Sequence, residues 1–356
     1  MKILVINPGS SSTKIAIFEN LNPIFLKNIK HSLTEISKFD SIAEQFNFRK
    51  DLILNQLKQE AISINDFDAI IGRGGFIKPV KSGIIETNES MLKTLKSGSL
   101  GEHASNLGGI LADYISKMSN KEIKSFILDP VVVDEMENLA RYSGIPEIPR
   151  LSIFHALNQK AVIRRYSQER GMNIENLNII VAHIGGGISL GAHKNGRAID
   201  VNNGLDGEGP FSTDRSGGVP VGQLINLAFS GKYTQKELNL KIKGKGGLTA
   251  YLGNTDGIEI EKMINRADKK AEEVYQAMAY QISKEIGALA TVLKGKVDAI
   301  ILTGGFAYSN MLINWIKARV EFISEIVVYP GEDEMKALAE GAYYALNNKM
   351  PINYYK

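Results

Sequence analysis

Short apolar runs that end in small polar residues recur along the chain, and between them apolar positions repeat every three or four residues. Residues 2–6 read K-I-L-V-I, stop at N-P-G-S-S-S-T-K (7–14), and the run resumes at 15–18. That pattern predicts strand, turn, strand. Residues 178–182, N-I-I-V-A, repeat the grammar, turn at H-I-G-G-G-I-S-L and continue through 191–193. The turns begin at Asn7 and His183, about half the chain apart, whereas solenoid repeats have periods of roughly 20–50 residues. The spacing therefore predicts two homologous domains.

Between and after these hairpins the period changes. Ser105 is placed to cap a helix whose apolar stripe is Leu107, Ile110, Leu111, Ile115 and Met118. A longer stripe runs through Ala271, Val274, Tyr275, Met278, Ile282, Ile286, Leu289 and Leu293 and stops at Gly295. A last one carries Met335, Leu338, Ala339, Ala342 and Leu346. Short strands at 68–71, 125–128 and 297–302 alternate with them. This alternation predicts α/β layers with mainly parallel sheet cores.

Composition narrows the partners. A chain of 356 residues that is 44% hydrophobic has room for two domains of ordinary size. Its 42 basic and 39 acidic side chains leave a net charge of +3, without the concentrated basic stripe of a nucleic-acid surface. The densest basic stretch, Lys236, Lys241, Lys243 and Lys245, reads as a solvated face. The absence of cysteine excludes disulfides and thiolate metal sites. The apolar run before Asn7 is shorter than the roughly 7–15 residues of a signal-peptide core, and no window approaches the roughly 18 apolar residues of a membrane span. These features predict a soluble, cytoplasmic protein with neither a nucleic acid nor a membrane as partner.

Three turns of small residues follow strands: Gly9-Ser10-Ser11-Ser12, Gly185-Gly186-Gly187 and Gly304-Gly305. Glycine lets the backbone approach a phosphate with its N–H groups inward, and serine hydroxyls add donors. Each turn alone is equally an ordinary hairpin; three at strand ends point to nucleotide binding. The P-loop, the G-x-G-x-x-G dinucleotide fingerprint and the protein-kinase set are all missing from the sequence. Arg73, His103, Asp129, His155, His183 and Arg215 stand beside Gly, Pro or turn-forming neighbours. The arginine fork suits a carboxylate or phosphate, although an arginine near a glycine also serves in surface salt bridges. His31 and His193 read as surface histidines, and Asp206 with Glu208 as part of a tight loop rather than a calcium site.

At this point the chain resembles the acetate and butyrate kinase family over nearly its whole length. The resemblance rests on N-P-G-S-S-S-T-K (7–14), G-E-H-A-S-N-L-G-G (101–109), D-P-V-V-V-D-E (129–135) and F-H-A-L-N-Q-K-A (154–161). It continues through H-I-G-G-G-I-S-L-G-A-H (183–193), D-V-N-N-G-L-D-G-E-G-P-F-S (200–212), D-R-S-G-G (214–218), L-T-G-G (302–305) and P-G-E-D-E-M-K-A-L-A (330–339). It implies a duplicated actin-like ATPase (ribonuclease H-like) α/β fold, shared with actin, hexokinase and glycerol kinase, with two domains and a central nucleotide cleft. The implied N-terminal domain is 1–152 plus 335–356, closed by the C-terminal helix. The implied nucleotide-binding domain is 153–334. A homo-oligomer is also expected on this ground.

The resemblance further implies reversible, direct in-line transfer of the γ-phosphoryl group of ATP, with Mg2+, to a short-chain fatty carboxylate, butyrate foremost. An acetate, propionate or branched-chain acid kinase is the alternative. A non-catalytic ATP-binding regulator on the same fold is the alternative from another class, but a binder would have no reason to keep Arg73, Arg215 and His155 together. By resemblance, Asn7, Ser10, Ser12 and Lys14 contact phosphate or its magnesium, and His183, Gly185, Gly186 and Gly187 form a second phosphate loop. Gly304 and Gly305 lie beside the adenosine. Arg73, His103 and Arg215 meet the substrate, and His155 donates to the transferring group. Asp129, with Asn7 and with Glu332 or Glu334, orients the metal. The chain departs from acetate kinases in carrying Gly186 where they have asparagine, and in lacking their extra length. A free carboxylate has a pKa of about 4–5 and is ionised at pH 7, so no general base is needed and Asp129 is better cast as a metal orienter.

Overall fold

The strand–turn–strand segment at each end of the repeat folds as an antiparallel hairpin inside its own sheet. The computed structural model describes Met1–Lys356, the side chain of Leu33 excepted. Two units are present, one of Met1–Asp134 with Asp333–Lys356 and one of Glu135–Glu332. The first unit holds β1 (Lys2–Pro8), β2 (Ser12–Glu19), β3 (Asn22–Lys30), β4 (Ala69–Arg73), β5 (Ile84–Glu86) and β6 (Lys124–Leu128). The second holds β7 (Asn178–Ile184), β8 (Ile188–Lys194), β9 (Arg197–Val201), β10 (Ala299–Gly304) and β11 (Ile326–Pro330). The chain's last strand, β12 (Ile352–Tyr354), returns to the first unit.

The duplication is visible in the strand orders, β12-β5-β6-β4-β1-β2-β3 and β11-β10-β7-β8-β9. In each sheet an antiparallel meander of three strands continues into two parallel strands: β3-β2-β1 then β4 and β6, and β9-β8-β7 then β10 and β11. Both meanders carry a register shift between their second and third strands, at Ile17/Phe18 and at Ala192/His193.

Helices cover both faces of the second sheet. Along β7, Ile180, Ala182 and Ile184 join a core with Val274, Tyr275, Met278, Ile282, Ile286 and Leu289 of the helix Lys269–Val292. Ile179 and Val181 face the other way, onto Val162, Ile163 and Tyr166 of the helix Ala156–Arg170. A strand buried on both faces has no polar alternation to show, which is why β7 reads as one apolar run. Each such buried side chain contributes about 1.5–3 kcal/mol by leaving water.

In the first unit, backbone contact replaces side-chain packing at one joint. The helix Asn106–Ser116 meets the end of β4 so closely that a Cβ on Gly72 would lie 2.1 Å from the Gly108 carbonyl oxygen, and one on Gly108 would lie 2.2 Å from the Arg73 oxygen. Gly72→Ala would force this helix off the strand that ends at Arg73. The helix ends at Ser116, and Met118, expected in its stripe, is 46% exposed beyond it. Ser105 stands at the N-cap position without capping, because its hydroxyl bonds to His103 Nδ1 at 2.9 Å. Among the described residues no helix is long and apolar enough to cross a membrane.

Candidate active site

In the first unit, three neighbouring strands run parallel and deliver polar residues at their C-terminal ends: Asn7 from β1, Arg73 from β4, and Asp129 just past β6. This end of a parallel sheet is where α/β folds bind ligands. Glu334, first residue of the helix Glu334–Leu346, ties two of the three together. Asn7 Nδ2 donates to its Oε2 at 2.7 Å, and Arg73 Nη2 lies 3.0 Å from its Oε1. The carboxylate is buried and both its oxygens are engaged, so the Arg73 fork has a fixed position. Asp129 adopts a left-handed conformation, φ 39°, unusual for a non-glycine residue. Its Oδ1 accepts from Ser82 Oγ and from Gly83 N, both at 2.7 Å.

The β1–β2 turn closes with Gly9 N donating to the Ser12 oxygen at 2.8 Å, leaving Ser10, Ser11 and Lys14 exposed. Beneath the turn lies Arg49, wholly buried, from the helix Gln45–Gln59. Its Nη1 donates to Ser12 O and Thr13 Oγ1 at 3.0 Å, its Nη2 reaches Ser10 O at 3.5 Å, and Nε and Nη2 both donate to Gln45 Oε1. Among the described residues no carboxylate pairs with it. Burial pushes its pKa down to about 10, so it remains a cation at neutral pH. Thr13 Oγ1 also bonds to His31 Nε2 at 2.9 Å, and His31 is buried, not on the surface as its sequence neighbours suggest.

In the second unit the β7–β8 turn is backed by neutral groups. Gly185 N donates to Gly187 O at 3.1 Å, and the exposed Gly186 is held through its carbonyl by Ser212 Oγ (2.7 Å) and Thr213 Oγ1 (3.1 Å). Arg215 packs against this turn. A Cβ on Gly187 would lie 2.0 Å from Arg215 Nη1, which donates to the Gly204 carbonyl. Burial lowers the Arg215 pKa from its usual value and Asp214 opposes the shift. The rings of His155 and His183 stack, centroids 3.8 Å apart and 12° from parallel. His183 Nδ1 bonds to Asn158 Oδ1 at 2.8 Å, and its Nε2 lies 3.2 Å from Glu332 Oε1.

The ends of β7, β10 and β11 bring Gly304 and Gly331 to the same edge as His183. Position 304 calls for glycine on two grounds: its φ is 90°, and a Cβ there would lie 2.4 Å from the Ile184 oxygen.

The residues expected from sequence thus fall into two groups. Asn7, Ser10, Ser12, Lys14, Arg73, His103, Asp129 and Glu334 belong to the first unit; His155, His183, Gly185, Gly186, Gly187, Arg215, Gly304, Gly305 and Glu332 belong to the second. Glu332 and Glu334, two positions apart, serve different neighbours. Sequence reasoning missed Arg49, Asn158, Gln159 and Ser189. His193, expected on the surface, is buried at 1% exposure with Nε2 2.8 Å from Gln159 Oε1. No signal in the sequence marks Arg49, which sits in the unremarkable polar stretch Q-F-N-F-R-K.

The donor set suits a hard cation carried on a nucleotide. Among the described residues no cluster of three histidine, cysteine, aspartate or glutamate side chains would hold a metal unaided. Magnesium needs none, since one or two carboxylates with substrate phosphates and waters suffice. Asp129, its Oδ1 held by two donors, is a carboxylate of the kind such an ion takes.

Residues 147–323 match the model of the Acetokinase family. Butyrate kinase 2 of Clostridium acetobutylicum is 54% identical over 355 residues, covering 100% of this chain and 99% of that protein. The acetate kinase of Porphyromonas gingivalis has a similar structure, with a TM-score of 0.80 at 22% identity, over 97% of this chain and 99% of that one. A propionate kinase from Francisella tularensis gives a TM-score of 0.73 at 19% identity, over 96% and 98%.

Proposed function

The chain belongs to the acetokinase family of carboxylate kinases, and we propose that its acceptor is butyrate, phosphorylated by ATP to butyryl phosphate and ADP. The observation that carries this reading is the full-length 54% identity to a butyrate kinase, joined to a physical one. Each unit pairs a small-residue hairpin turn with an arginine held at a fixed place: Arg73 through Glu334, Arg215 against Gly187.

The chemistry needs little else. A carboxylate oxygen attacks the γ-phosphorus as the bond to the ADP oxygen breaks, in line, with no covalent phosphoenzyme. The nucleophile is ionised at neutral pH, so no proton has to be removed. What opposes the reaction is the approach of one anion to another, and positioning with fixed positive charge lowers that barrier. Arg73 and Arg215 offset charge on the carboxylate and on the equatorial phosphoryl oxygens, and His155 donates to the same group. Ser10, Ser12 and Lys14 serve the phosphates from the first turn, and Gly185, Gly186 and Gly187 from the second, by backbone N–H groups. Gly304 and Gly305 border the adenosine, and His103 stands on the substrate side. A magnesium ion bound with the nucleotide would neutralise part of the phosphate charge. Asp129 would hold it, with Asn7 and Glu334 beside it, while Glu332 is engaged with His183.

A substrate panel tests the acceptor. With ATP and Mg2+, trapping acyl phosphates as hydroxamates should give the highest kcat/KM for butyrate, and acetate should fall behind by 10-fold or more, since each methylene in an apolar pocket is worth about 1–3 kcal/mol. A preference for acetate, propionate or a branched acid would replace butyrate as the acceptor.

A further inference from the structure

Behind His155 runs a line of buried polar groups that the transfer itself does not use. Ser189 and Gln159 are wholly buried and His193 almost so. His155 Nδ1 lies 2.8 Å from Ser189 Oγ. Gln159 Nε2 lies 3.0 Å from Ser189 O and 3.2 Å from Ser189 Oγ, and Gln159 Oε1 lies 2.8 Å from His193 Nε2. We propose that Ser189 and Gln159 are positioning residues that hold the His155 ring with its proton on Nε2, and that His193 locks the Gln159 amide in the orientation this requires.

The assignment follows from counting donors and acceptors. Ser189 O is a carbonyl and can only accept, so the atom 3.0 Å from it must be the amide nitrogen of Gln159. The amide oxygen then faces His193 Nε2 and can only accept, so His193 carries its proton on Nε2. Burial, helped by the charge of Lys160, holds His193 well below its ordinary pKa and therefore neutral.

Ser189 Oγ next receives two N–H groups, from Gln159 Nε2 and from the His155 backbone, each at 3.2 Å. Those fill its two lone pairs. The hydroxyl proton is left for the shortest contact, the one to His155 Nδ1. A proton on Nδ1 would instead set three donors against two lone pairs and leave the hydroxyl hydrogen without a near acceptor.

The strand is built for this line. A Cβ on Gly191 would lie 2.6 Å from Gln159 Oε1 and 3.0 Å from His193 Nε2, so a side chain at this place in β8 would displace the Gln159–His193 pair. Stacking on His183 fixes the plane of the His155 ring.

The consequence for catalysis rests on the proposed function, in which His155 meets the transferring group. With its proton on Nε2 the ring offers a donor to the phosphoryl oxygens from that side. The other tautomer would present a lone pair to an anion and repel it.

The test is nitrogen NMR of the imidazoles in the uniformly 15N-labelled full-length chain, with His155→Gln assigning the signals. In the native protein His155 should show an unprotonated Nδ1 and a protonated Nε2. Ser189→Ala should mix the tautomers and lower kcat about 10- to 100-fold, by analogy with the loss of a residue that orients a metal-bound imidazole, with little change in KM for ATP. Ser189→Thr, which keeps the hydroxyl, should restore both the spectrum and part of the rate. Gln159→Met, close in volume, should mix the tautomers while keeping Ser189. A native His155 protonated on Nδ1, or a Ser189→Ala spectrum identical to native, overturns the proposal even if a variant is too unstable to assay. Mixed tautomers with unchanged kcat would overturn the phosphoryl role given to His155 and leave the positioning intact.

Discussion

The β1–β2 and β7–β8 turns occupy equivalent places in two sheets that share a five-strand arrangement, yet they are supported by opposite means. Under the first lies a buried guanidinium bonded to the carbonyls of Ser10 and Ser12 and facing no carboxylate among the described residues. Around the second lie hydroxyls, amides and imidazoles, with Arg215 alongside. Duplication preserved the backbone and left the backing free to diverge. In the first unit positive charge comes from inside the protein, and the serine hydroxyls and Lys14 are left exposed. In the second the proposed binding falls to the backbone, which fits a turn whose tip is the bare Gly186.

The arginines test this contrast most severely. Arg73→Ala and Arg215→Ala should each cut kcat about 10²–10³-fold, the cost of a lost preorganised donor. They should differ in stability. Removing Arg73 strands the buried Glu334 carboxylate and should cost about 3 kcal/mol. Removing Arg215 frees the neutral Gly204 carbonyl and a partly exposed Asp214 carboxylate 3.9 Å away, and should cost about 1 kcal/mol. Steady-state assays beside urea denaturation separate the two effects, and equal stability losses would erase the distinction.

Arg49→Met comes next. It takes the guanidinium donors from Ser10 O, Thr13 Oγ1 and the Gln45 side-chain oxygen, while Ser12 O keeps Gly9 N, and unfolding in urea should show a loss of about 3 kcal/mol. KM for ATP should rise more than KM for the carboxylate. A parallel rise in both would mean that Arg49 supports the fold alone.

Matched glycine substitutions sharpen the comparison further. The nearest atom to a Cβ on Gly9 is 3.6 Å away, so Gly9→Ala should leave stability within about 0.5 kcal/mol. A Cβ on Gly187 would displace the tip of Arg215. Gly187→Ala should keep the fold, since a flexible side chain can move, and lower kcat about 10- to 100-fold, because small misplacements at a reacting centre are costly.

The smallest effect is pH dependence. His31 in the first unit is held below its ordinary pKa by burial and then by the charge of Arg49, and His193 in the second lies well below it by burial and Lys160. Each binds a proton less readily folded than unfolded. Stability should therefore be full above about pH 6.5 and fall as pH drops below it, by up to about 1.4 kcal/mol per pH unit for each histidine until its folded pKa is reached. Urea titrations at several pH values, repeated with His31→Asn, should flatten part of that slope.

Much of this architecture is legible in the sequence because strands and turns write local patterns. The apolar runs before Asn7 and His183, the stripe of the helix Lys269–Val292 and the glycines at 304 and 305 all mark elements at their observed places. What stays hidden depends on which faces are covered. His193 lies in I-S-L-G-A-H-K, every residue of which but the last is buried, so the usual polar-means-outward inference fails. Arg49 looks like any helix-surface arginine until the turn it supports folds over it. Ser105 has the residue type and position of an N-cap, but its neighbour His103 takes the hydroxyl. These misses share one cause: the partner that decides the side chain's fate is distant in sequence, or is a side-chain atom that patterning does not see.

In the proposed mechanism, fixed charge and position carry the phosphoryl group from ATP to a carboxylate in one displacement, without a protein nucleophile. The most direct test is the stereochemical course with ATP made chiral at the γ-phosphorus. A single in-line transfer predicts inversion in the acyl phosphate; retention would reveal two displacements through a phosphoenzyme and contradict it.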